Sequence, residues 1–334
     1  MLHAVTILSS MRVITLSAAT LIALFAPAQQ PPPTTPDTSP HTVQFITVQK
    51  DVKLEVLDWG GTGRSMVFLA GATNTAHAFD GFAPKFTATH HVIGITRRGS
   101  GTSSKPEATD ANYNADRLGD DVLAVIDALK LDRPVLVGHS IAGEELSSVG
   151  SRHPEQVSGL VYLDAAYSFA FYDEALGDAG VDAAVLRREL NALDRGGVRD
   201  ENELLRRIQA DAARLAKSAA AANEFAKVFP PPPARDPLGA AVTYGGERYT
   251  EIHVPVLAFY AVPRNFHTFF PDNPAAEAAL AAPDLAYVTA RIDAFQKGVP
   301  QAHIVRLAHA DHYVYRSNES EVFKEMTAFM DSLH

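Results

Sequence analysis

A serine stands where a short apolar run gives way to a helical pattern. Gly138 and Ala142 lie two residues to either side of Ser140, within the segment Val135-Leu136-Val137-Gly138-His139-Ser140-Ile141-Ala142-Gly143. A strand that turns sharply into a helix exposes the serine hydroxyl, and so tight a turn needs small residues at both flanking positions. Glycine is more common than alanine at the second position. The segment indicates a nucleophilic serine, with a serine that only caps the helix as the alternative.

The helix predicted behind Ser140 begins with backbone N–H groups that no carbonyl of the helix accepts. The N–H of Ile141 is well placed to bind the oxyanion of a tetrahedral intermediate. Glu144 and Glu145 follow in the first turn. Their negative charge favours the helix dipole, and Glu144 is also a candidate for contact with the site.

Two histidines follow the last apolar run of the chain. His303–Leu307 is predicted as a strand, and Ala308-His309-Ala310-Asp311-His312 comes directly after it. A histidine near the serine would act as its general base. Two histidines and an aspartate are also potential metal ligands, but zinc takes three or four ligands, and the chain has neither a second such cluster nor a His-Glu-x-x-His motif. We therefore expect a base rather than a metal site, and no cofactor.

The order of these motifs resembles that of the α/β-hydrolase superfamily, and within it the capped, single-domain esterase-like hydrolases. The resemblance covers roughly residues 43–333, and the serine turn and the late histidine are its most specific parts. The motifs that carry it are Ala70-Gly71, Arg98-Gly99-Ser100-Gly101, Gly138-His139-Ser140-Ile141-Ala142-Gly143 and Asp311-His312.

The resemblance implies roles for individual residues. It makes Ser140 the nucleophile and His312, rather than His309, the general base. It assigns the oxyanion hole to the N–H groups of Ile141 and Ala72, although the usual His-Gly pair before the second position is here Ala70-Gly71. In the family, the arginine-glycine turn is structural.

The acid of the triad is less certain from the sequence. In many members of the superfamily it follows the seventh strand, here Val256–Ala261, after which no carboxylate occurs before Asp272. Asp164 directly follows an earlier apolar run, and some capped relatives, such as the haloalkane dehalogenases, place their acid there. Ser140, Asp164 and His312 also keep the superfamily's chain order. We therefore expect Asp164 as the acid, with Asp272 as the alternative.

Strands and helices must position these residues, and the hydrophobic pattern predicts both. Gln44–Gln49 and Val52–Trp59 alternate around a turn and predict an antiparallel hairpin. Continuous apolar runs, typical of strands buried on both faces, alternate with helical patterns such as Ala115–Leu129, Ala142–Arg152 and Val322–Leu333. The fold class is therefore α/β, with a mostly parallel, doubly wound sheet of the α/β-hydrolase type. The predicted buried strands are Met66–Ala70, Val92–Thr96, Val135–Val137, Gly159–Leu163, Val256–Ala261 and His303–Leu307.

One long segment interrupts this alternation. Residues 169–250 contain no good strand pattern, but helical composition over Val185–Leu193, Glu201–Leu215 and Ser218–Phe229, ended by Pro230–Pro233. We predict a helical cap of residues 169–250 inserted into a core of residues 42–168 and 251–334.

The N-terminus has the pattern of a targeting segment. Arg12 precedes the apolar run Val13–Phe25, and Ala26-Pro27-Ala28 has the small residues that signal peptidases require. The run is shorter than the roughly 20 residues that span a bilayer, so we favour cleavage over a membrane anchor. We expect a signal peptide over residues 1–28, a proline-rich disordered spacer over 29–41, and a secreted or periplasmic protein cleaved near Ala28.

The composition excludes several partners and chemistries. Among 334 residues, 29 are basic and 39 acidic, for a net charge of −10, which argues against nucleic acid and anionic membrane surfaces. Cysteine is absent, so there are no disulfides, thiolate metal sites or cysteine nucleophiles. Hydrophobic residues make up 46 %, enough for a full core. The sequence does not indicate an oligomeric state.

Together these features predict a serine hydrolase of the carboxylesterase type. It would cleave a carboxylic ester, or a related acyl bond, of a small molecule through a Ser-His-Asp triad and an acyl-enzyme. Epoxide hydrolases and dehalogenases of the superfamily have an aspartate where this chain has Ser140. The alternatives are a non-catalytic ligand-binding protein with this fold and a cofactor-free perhydrolase.

Overall fold

The computed structural model describes residues 41–72, 74–196, 200–226, 236–267, 270 and 272–333. The predicted signal peptide, residues 1–28, lies outside the described residues. So does the predicted spacer, apart from its last residue, His41.

Eight strands form one mixed sheet in the order β1-β2-β4-β3-β5-β6-β7-β8. The hairpin of β1 and β2 is antiparallel, β2 pairs antiparallel with β4, and the pairs from β4 to β8 are all parallel. The predicted α/β class and the mostly parallel sheet are therefore confirmed. The strands are β1 Thr42–Gln49, β2 Val52–Gly60, β3 Ser65–Leu69, β4 His91–Ile95, β5 Val135–His139, β6 Gly159–Leu163, β7 Val256–Ala261 and β8 Ala302–Leu307.

Helices connect the strands, as the alternating pattern predicted. The helix Ala115–Leu129 has the predicted bounds. The Asn114 side chain caps its first turn by accepting from the Arg117 N–H, and Lys130 ends it with a left-handed backbone. The helices are α1 Asp110–Tyr113, α2 Ala115–Leu129, α3 Gly143–Arg152, α4 Ala179–Arg195, α5 Glu201–Ala226, α6 Pro237–Thr243, α7 Pro274–Gly298, α8 Val314–Ser317 and α9 Glu319–Ser332.

The inner strands β3, β5, β6 and β7 are buried on both faces of the sheet, which explains why they are almost continuously apolar. Along β3, Val67 and Leu69 face one core cluster, whereas Met66 and Phe68 face the other. The first cluster includes residues of α2, α3 and α7, and the second includes residues of α9 and a group of phenylalanines that follows β3. Both faces therefore carry a helical or aromatic layer, and the strand ends remain for chemistry.

The segment between β6 and β7 is helical. It contains α4, α5 and α6, and its two ends are joined where the Tyr172 N–H donates to the Tyr249 carbonyl. The two helices predicted over Glu201–Leu215 and Ser218–Phe229 form one helix instead, α5. The Ser218 hydroxyl contacts the Leu215 carbonyl and the Asp182 carboxylate, so a serine within the helix is accommodated rather than ending it.

A long helix, α7, connects β7 to β8, and the sequence pattern did not delimit it. Alanines surround its buried stripe of Leu280, Val288, Ile292 and Phe295, and Pro283 lies inside it. Both features obscure a helical signal in the sequence. Across the described part of the chain, no helix combines the length and the apolar character needed to cross a bilayer.

Candidate active site

Ser140 occupies the sharp turn between β5 and α3. Its backbone is left-handed, with φ 57°, a conformation that non-glycine residues adopt rarely, in turns, at helix ends and at functional sites. The flanking residues are small because the turn is crowded: a Cβ at Gly138 would lie 2.9 Å from the Leu146 side chain. One turn of 3₁₀ helix, Ser140–Ala142, leads into α3.

The loop after β8 brings His312 to this turn. Its Nε2 lies 2.9 Å from the Ser140 Oγ, and its Nδ1 lies 2.7 Å from the Asp164 Oδ2. The tautomer that satisfies both contacts has its proton on Nδ1, donated to the carboxylate, and accepts the serine hydroxyl proton at Nε2. His309 is exposed on the same loop. The structure thus brings together Ser140, His312 and Asp164.

Asp164 directly follows β6, with a left-handed φ of 48°, and is fully buried. Its Oδ1 accepts from the Ala261 N–H at 3.1 Å and from the Tyr167 hydroxyl at 2.5 Å. Burial alone would raise the pKa of this carboxyl. The charge of Arg264 and the hydrogen bonds from His312 and Tyr167 outweigh burial and lower the pKa to about 2.

The alternative acid lies elsewhere. Asp272 is exposed, in the turn that precedes α7. The contact with His312 is made by Asp164.

Two residues behind Asp164 were missed by the sequence reasoning. The Arg264 Nη2 donates to the Tyr167 hydroxyl at 2.5 Å and lies 3.5 Å from the Asp164 Oδ2. The Arg264 side chain is almost fully buried. The signal in the segment after β7 is the arginine itself, because a buried carboxylate needs a nearby cation to stay ionised. Arg264 and Tyr167 therefore form a buried support for Asp164.

His139, the residue before the serine, fixes the loop that carries His312. Its Nε2 donates to the His312 backbone carbonyl at 2.9 Å, and its ring stacks on Tyr313 with centroids 4.8 Å apart. Burial, with a contribution from the charge of His312, lowers the pKa of His139 to about 3. His139 is therefore neutral at physiological pH, and it holds the His312 backbone through a hydrogen bond.

The two expected oxyanion donors lie on either side of the serine turn. Ile141 directly follows Ser140, whereas Ala72 is reached through Gly71, at the end of β3. A Cβ added at Gly71 would lie 3.0 Å from the His139 Nδ1 and 3.2 Å from the Ser140 Cβ, so a larger residue here would have to push the serine turn aside. The Asn74 N–H donates to the Gly71 carbonyl and closes the turn in which Ala72 lies.

The two arginines that precede Gly99 differ in their partners. Arg98 pairs with Asp121 on α2 through two contacts of 2.6 Å, which fits the structural role implied by the resemblance. Arg97 instead reaches the carbonyls of Ala70 and Gly71 and both carboxylate oxygens of Glu145.

The glutamates behind the serine also differ from expectation. Glu145 forms a buried ion pair with Arg97 and does not act on the helix dipole alone. Glu144 is fully buried, and among the described residues its carboxyl oxygens have no hydrogen-bond partner. Burial, with a contribution from Glu145, raises the pKa of Glu144 well above its ordinary value.

Apolar side chains cover the serine turn from the inserted helices. Ile141 packs in a small cluster with Tyr113, Leu118 and Val242, the last of these from α6. Leu238, also on α6, lies so close to Gly99 that an added Cβ would come within 2.7 Å of it. The helix α6 therefore provides apolar side chains beside Ile141, the residue after Ser140. Within the described ranges, no group of three or more histidine and acidic residues is arranged to hold a metal ion.

Comparison with known proteins finds a family model that matches part of the chain and relatives that match over a similar length. Residues 64–197 match the family model described as alpha/beta hydrolase fold. The chain is 29 % identical over 104 residues to the 2-(acetamidomethylene)succinate hydrolase of Mesorhizobium japonicum, and 35 % identical over 128 residues to the 2-hydroxymuconate semialdehyde hydrolase of a Pseudomonas species. These matches cover 31 % and 37 % of this chain and 36 % and 44 % of the relatives. The chain thus spans less than half the length of these curated relatives.

Solved structures agree with the fold over a longer range. The crystal structure of E-2-(acetamidomethylene)succinate hydrolase aligns with 87 % of this chain and 100 % of its own, with a TM-score of 0.52 and 20 % identity. The structure of Est816, described as an N-acyl homoserine lactone degrading enzyme, aligns with 86 % of this chain and 100 % of its own, with a TM-score of 0.52 and 23 % identity. At these identities the likeness concerns the fold.

Proposed function

We propose that the chain is a serine hydrolase that cleaves a carboxylic ester, or a related acyl bond, of a small molecule. The match of residues 64–197 to the alpha/beta hydrolase fold model and the similarity to two hydrolases support the proposal. The observation that carries the proposal is the continuous chain of contacts from the Ser140 Oγ through the His312 ring to the Asp164 carboxylate, at 2.9 and 2.7 Å. A hydroxyl, a base and an orienting acid in that order are what acyl transfer to serine requires.

The first half of the reaction forms an acyl-enzyme. His312 Nε2 takes the hydroxyl proton as the Ser140 oxygen attacks the carbonyl carbon. Asp164 is an anion at neutral pH because its pKa is about 2, and it stabilises the imidazolium that forms. The N–H groups of Ile141 and Ala72 stabilise the oxyanion. His312 then gives its proton to the departing alcohol, and the acyl group stays on Ser140.

The second half releases the acid. A water molecule gives a proton to His312 and attacks the acyl carbon, and the second oxyanion collapses as His312 returns the proton to Ser140. The residues therefore begin and end the cycle in the same protonation states, and no step calls for a cofactor.

The serine is also the feature that separates this chain from some of its relatives. A fluoroacetate dehalogenase and an epoxide hydrolase are among the matched proteins, at 29 % and 32 % identity over 117 and 114 residues. A serine hydroxyl needs a base to become nucleophilic, whereas an aspartate attacks as the free carboxylate. Ser140 with His312 at hydrogen-bond distance therefore favours acyl chemistry.

The surroundings of the serine favour an apolar substrate group. Ile141, Leu238 and Val242 line one side of the turn, and we assign this wall to the acyl portion of the ester. We likewise propose that residues 169–250 act as a cap, supported by the cluster in which Val242 of α6 packs with Ile141, the residue after the serine. Secretion through the N-terminal segment remains our expectation from the sequence.

Two assays on the purified protein test the function. We expect turnover of short-chain p-nitrophenyl esters and labelling of Ser140 by a fluorophosphonate probe. Ser140→Ala should abolish the labelling, and Ser140→Ala and His312→Ala should each lower turnover by several powers of ten. If folded protein neither turns over a panel of esters and lactones nor reacts with the probe, it is a non-catalytic binding protein. Peroxide-dependent halogenation would indicate a perhydrolase.

A further inference from the structure

We propose that Arg97 is a positioning residue that sets the direction of the oxyanion donor at Ala72. The inference rests on the proposed function, since it concerns how the same site is built. Arg97 follows β4, on the neighbour of β3, and its side chain crosses to the end of β3. Its Nη2 donates to the Ala70 carbonyl at 2.9 Å and its Nη1 to the Gly71 carbonyl at 3.3 Å.

The contact with Gly71 determines where the Ala72 N–H points. The Gly71 carbonyl and the Ala72 N–H belong to one planar trans peptide unit, so they point in opposite directions. The Gly71 carbonyl accepts from Arg97 on one strand end and from the Asn74 N–H, at 3.2 Å, within the turn. With that carbonyl held by two donors, rotation of the peptide plane would break both hydrogen bonds, and the N–H keeps its orientation.

The Arg97 guanidinium is also anchored to α3, the helix that follows the other expected donor, Ile141. Its Nε and Nη2 donate to the two Glu145 oxygens, at 2.5 and 3.0 Å, and both side chains are about 95 % buried. Glu145 lies on α3, four residues after Ile141. Arg97 therefore joins the two predicted halves of the oxyanion hole, one on the β3 end and one at the start of α3. An arginine suits this task because its planar fork presents several donors in fixed directions, which a lysine ammonium does not.

The neighbouring arginine shows what a purely structural pair looks like. Arg98 is also fully buried and pairs with Asp121, but its other described contacts are with Gln49 and the Asn112 carbonyl. Neither of these lies on β3 or α3. Arg98→Lys is therefore a matched control for the loss of a buried guanidinium one residue away.

The test compares an ester with the corresponding thionoester. Sulfur is a poor hydrogen-bond acceptor, so the ratio of the two kcat values measures how much the oxyanion donors contribute. In Arg97→Lys and Arg97→Met we expect kcat for the ester to fall about tenfold to a hundredfold, because a misdirected donor contributes less than an aligned one. The kcat for the thionoester should change less, so the ratio should fall, while KM stays near the wild-type value.

Further variants separate this role from stability. Arg98→Lys should lower the thermal midpoint yet keep the ester to thionoester ratio of the wild type. Glu145→Gln keeps Arg97 and a hydrogen-bonding partner, and should lower the ratio less than Arg97→Met. The inference is overturned if folded Arg97→Lys keeps the wild-type ratio of ester to thionoester kcat, or if Glu145→Gln and Arg97→Met both keep it. It is also overturned if the ratio falls equally in Arg98→Lys. Absence of turnover and of Ser140 labelling in the wild type would instead refute the proposed function.

Discussion

Two carboxyl groups close to the serine turn have the same burial and opposite acidity. Asp164 and Glu144 are both fully buried. The pKa of Asp164 is lowered to about 2, although burial acts to raise it, whereas the pKa of Glu144 is raised well above its ordinary value. Burial penalises the charged form in both cases, so the difference must come from the partners.

Asp164 has a donor for each oxygen and a cation beside it. The Ala261 N–H, the Tyr167 hydroxyl and His312 bind it, and Arg264 lies 3.5 Å away. These groups favour the anion, as a triad acid requires.

Glu144 is surrounded by groups of both signs. Glu145 and Glu247 raise its pKa, and Arg97 and Arg188 lower it. Both arginines already bind other carboxylates, Glu145 and Glu247 respectively. Burial therefore favours the neutral form of Glu144, whereas the partners of Asp164 favour its anion. The position of a carboxyl near Ser140 therefore does not fix its ionisation; the hydrogen-bond donors and cations around it do.

The largest expected effect comes from removing the charge of Asp164, the carboxyl group with a donor for each oxygen. Asp164→Asn keeps the shape of the side chain but favours the wrong His312 tautomer, so we expect kcat to fall about 10⁴-fold. The measurement is ester turnover, with Asp272→Asn as the control. Because Asp272 is exposed, this variant should keep wild-type turnover. Loss of activity in Asp272→Asn and not in Asp164→Asn would reverse our assignment of the acid.

The next effect concerns the support behind Asp164. Asp164 has its ordinary pKa near 3.8 when unfolded and about 2 when folded, so its ionised form contributes about 2 kcal/mol of stability above pH 4. That contribution is lost as the pH falls from about 4 to 2. In Arg264→Met the cation is gone, the folded pKa rises, and the contribution shrinks.

Urea unfolding between pH 3 and 7 measures this change. We expect Arg264→Met to be less stable than the wild type at pH 7, and the two to converge towards pH 3. Tyr167→Phe removes the hydrogen bond donated to Asp164 and the one accepted from Arg264, but it keeps the cation, so it should cause a smaller loss with the same pH dependence. A difference between Arg264→Met and wild type that is constant across this range would mean that Arg264 acts only by packing.

The parts of the site that the sequence could predict are those with a local pattern. Ser140 was predictable because a tight strand-to-helix turn restricts the size of its neighbours, and the bounds of α2 because a capping asparagine and an apolar stripe define them. The mostly parallel sheet followed from continuous apolar runs alternating with helices.

The supporting residues have no such pattern. Arg264 lies 100 residues beyond Asp164, and Arg97 lies 48 residues before Glu145. Asp164 and Arg264 follow two neighbouring parallel strands, and Arg97 follows a strand at the edge of the sheet where α3 begins. Only the fold determines which long side chains meet at this edge. The single helix α5 was missed for a related reason, since Asp182 on α4 contacts Ser218 from outside the segment.

The smallest effect is expected at Glu144. The pH dependence of its contribution to stability is opposite to that of Asp164. Because its folded pKa is raised, Glu144 stabilises the fold fully below its unfolded pKa, and that stabilisation is lost as the pH rises towards the folded pKa. Glu144→Gln has a neutral side chain of nearly the same shape in both states. We therefore expect the variant to be more stable than the wild type at pH 8 and similar to it at pH 4.

The measurement is the urea midpoint at both pH values, with ester turnover at pH 8 as the second readout. Glu145→Gln is the matched control: it removes a carboxylate that does pair with Arg97, and should destabilise the protein at pH 8 because it breaks a buried ion pair. Glu144→Gln should leave turnover within about twofold, because among the described residues its carboxyl forms no hydrogen bond with Ser140, His312 or Asp164. A loss of stability in Glu144→Gln at pH 8 comparable to that of Glu145→Gln would mean that Glu144 is ionised in the folded protein, and the contrast between the two buried acids would then fail.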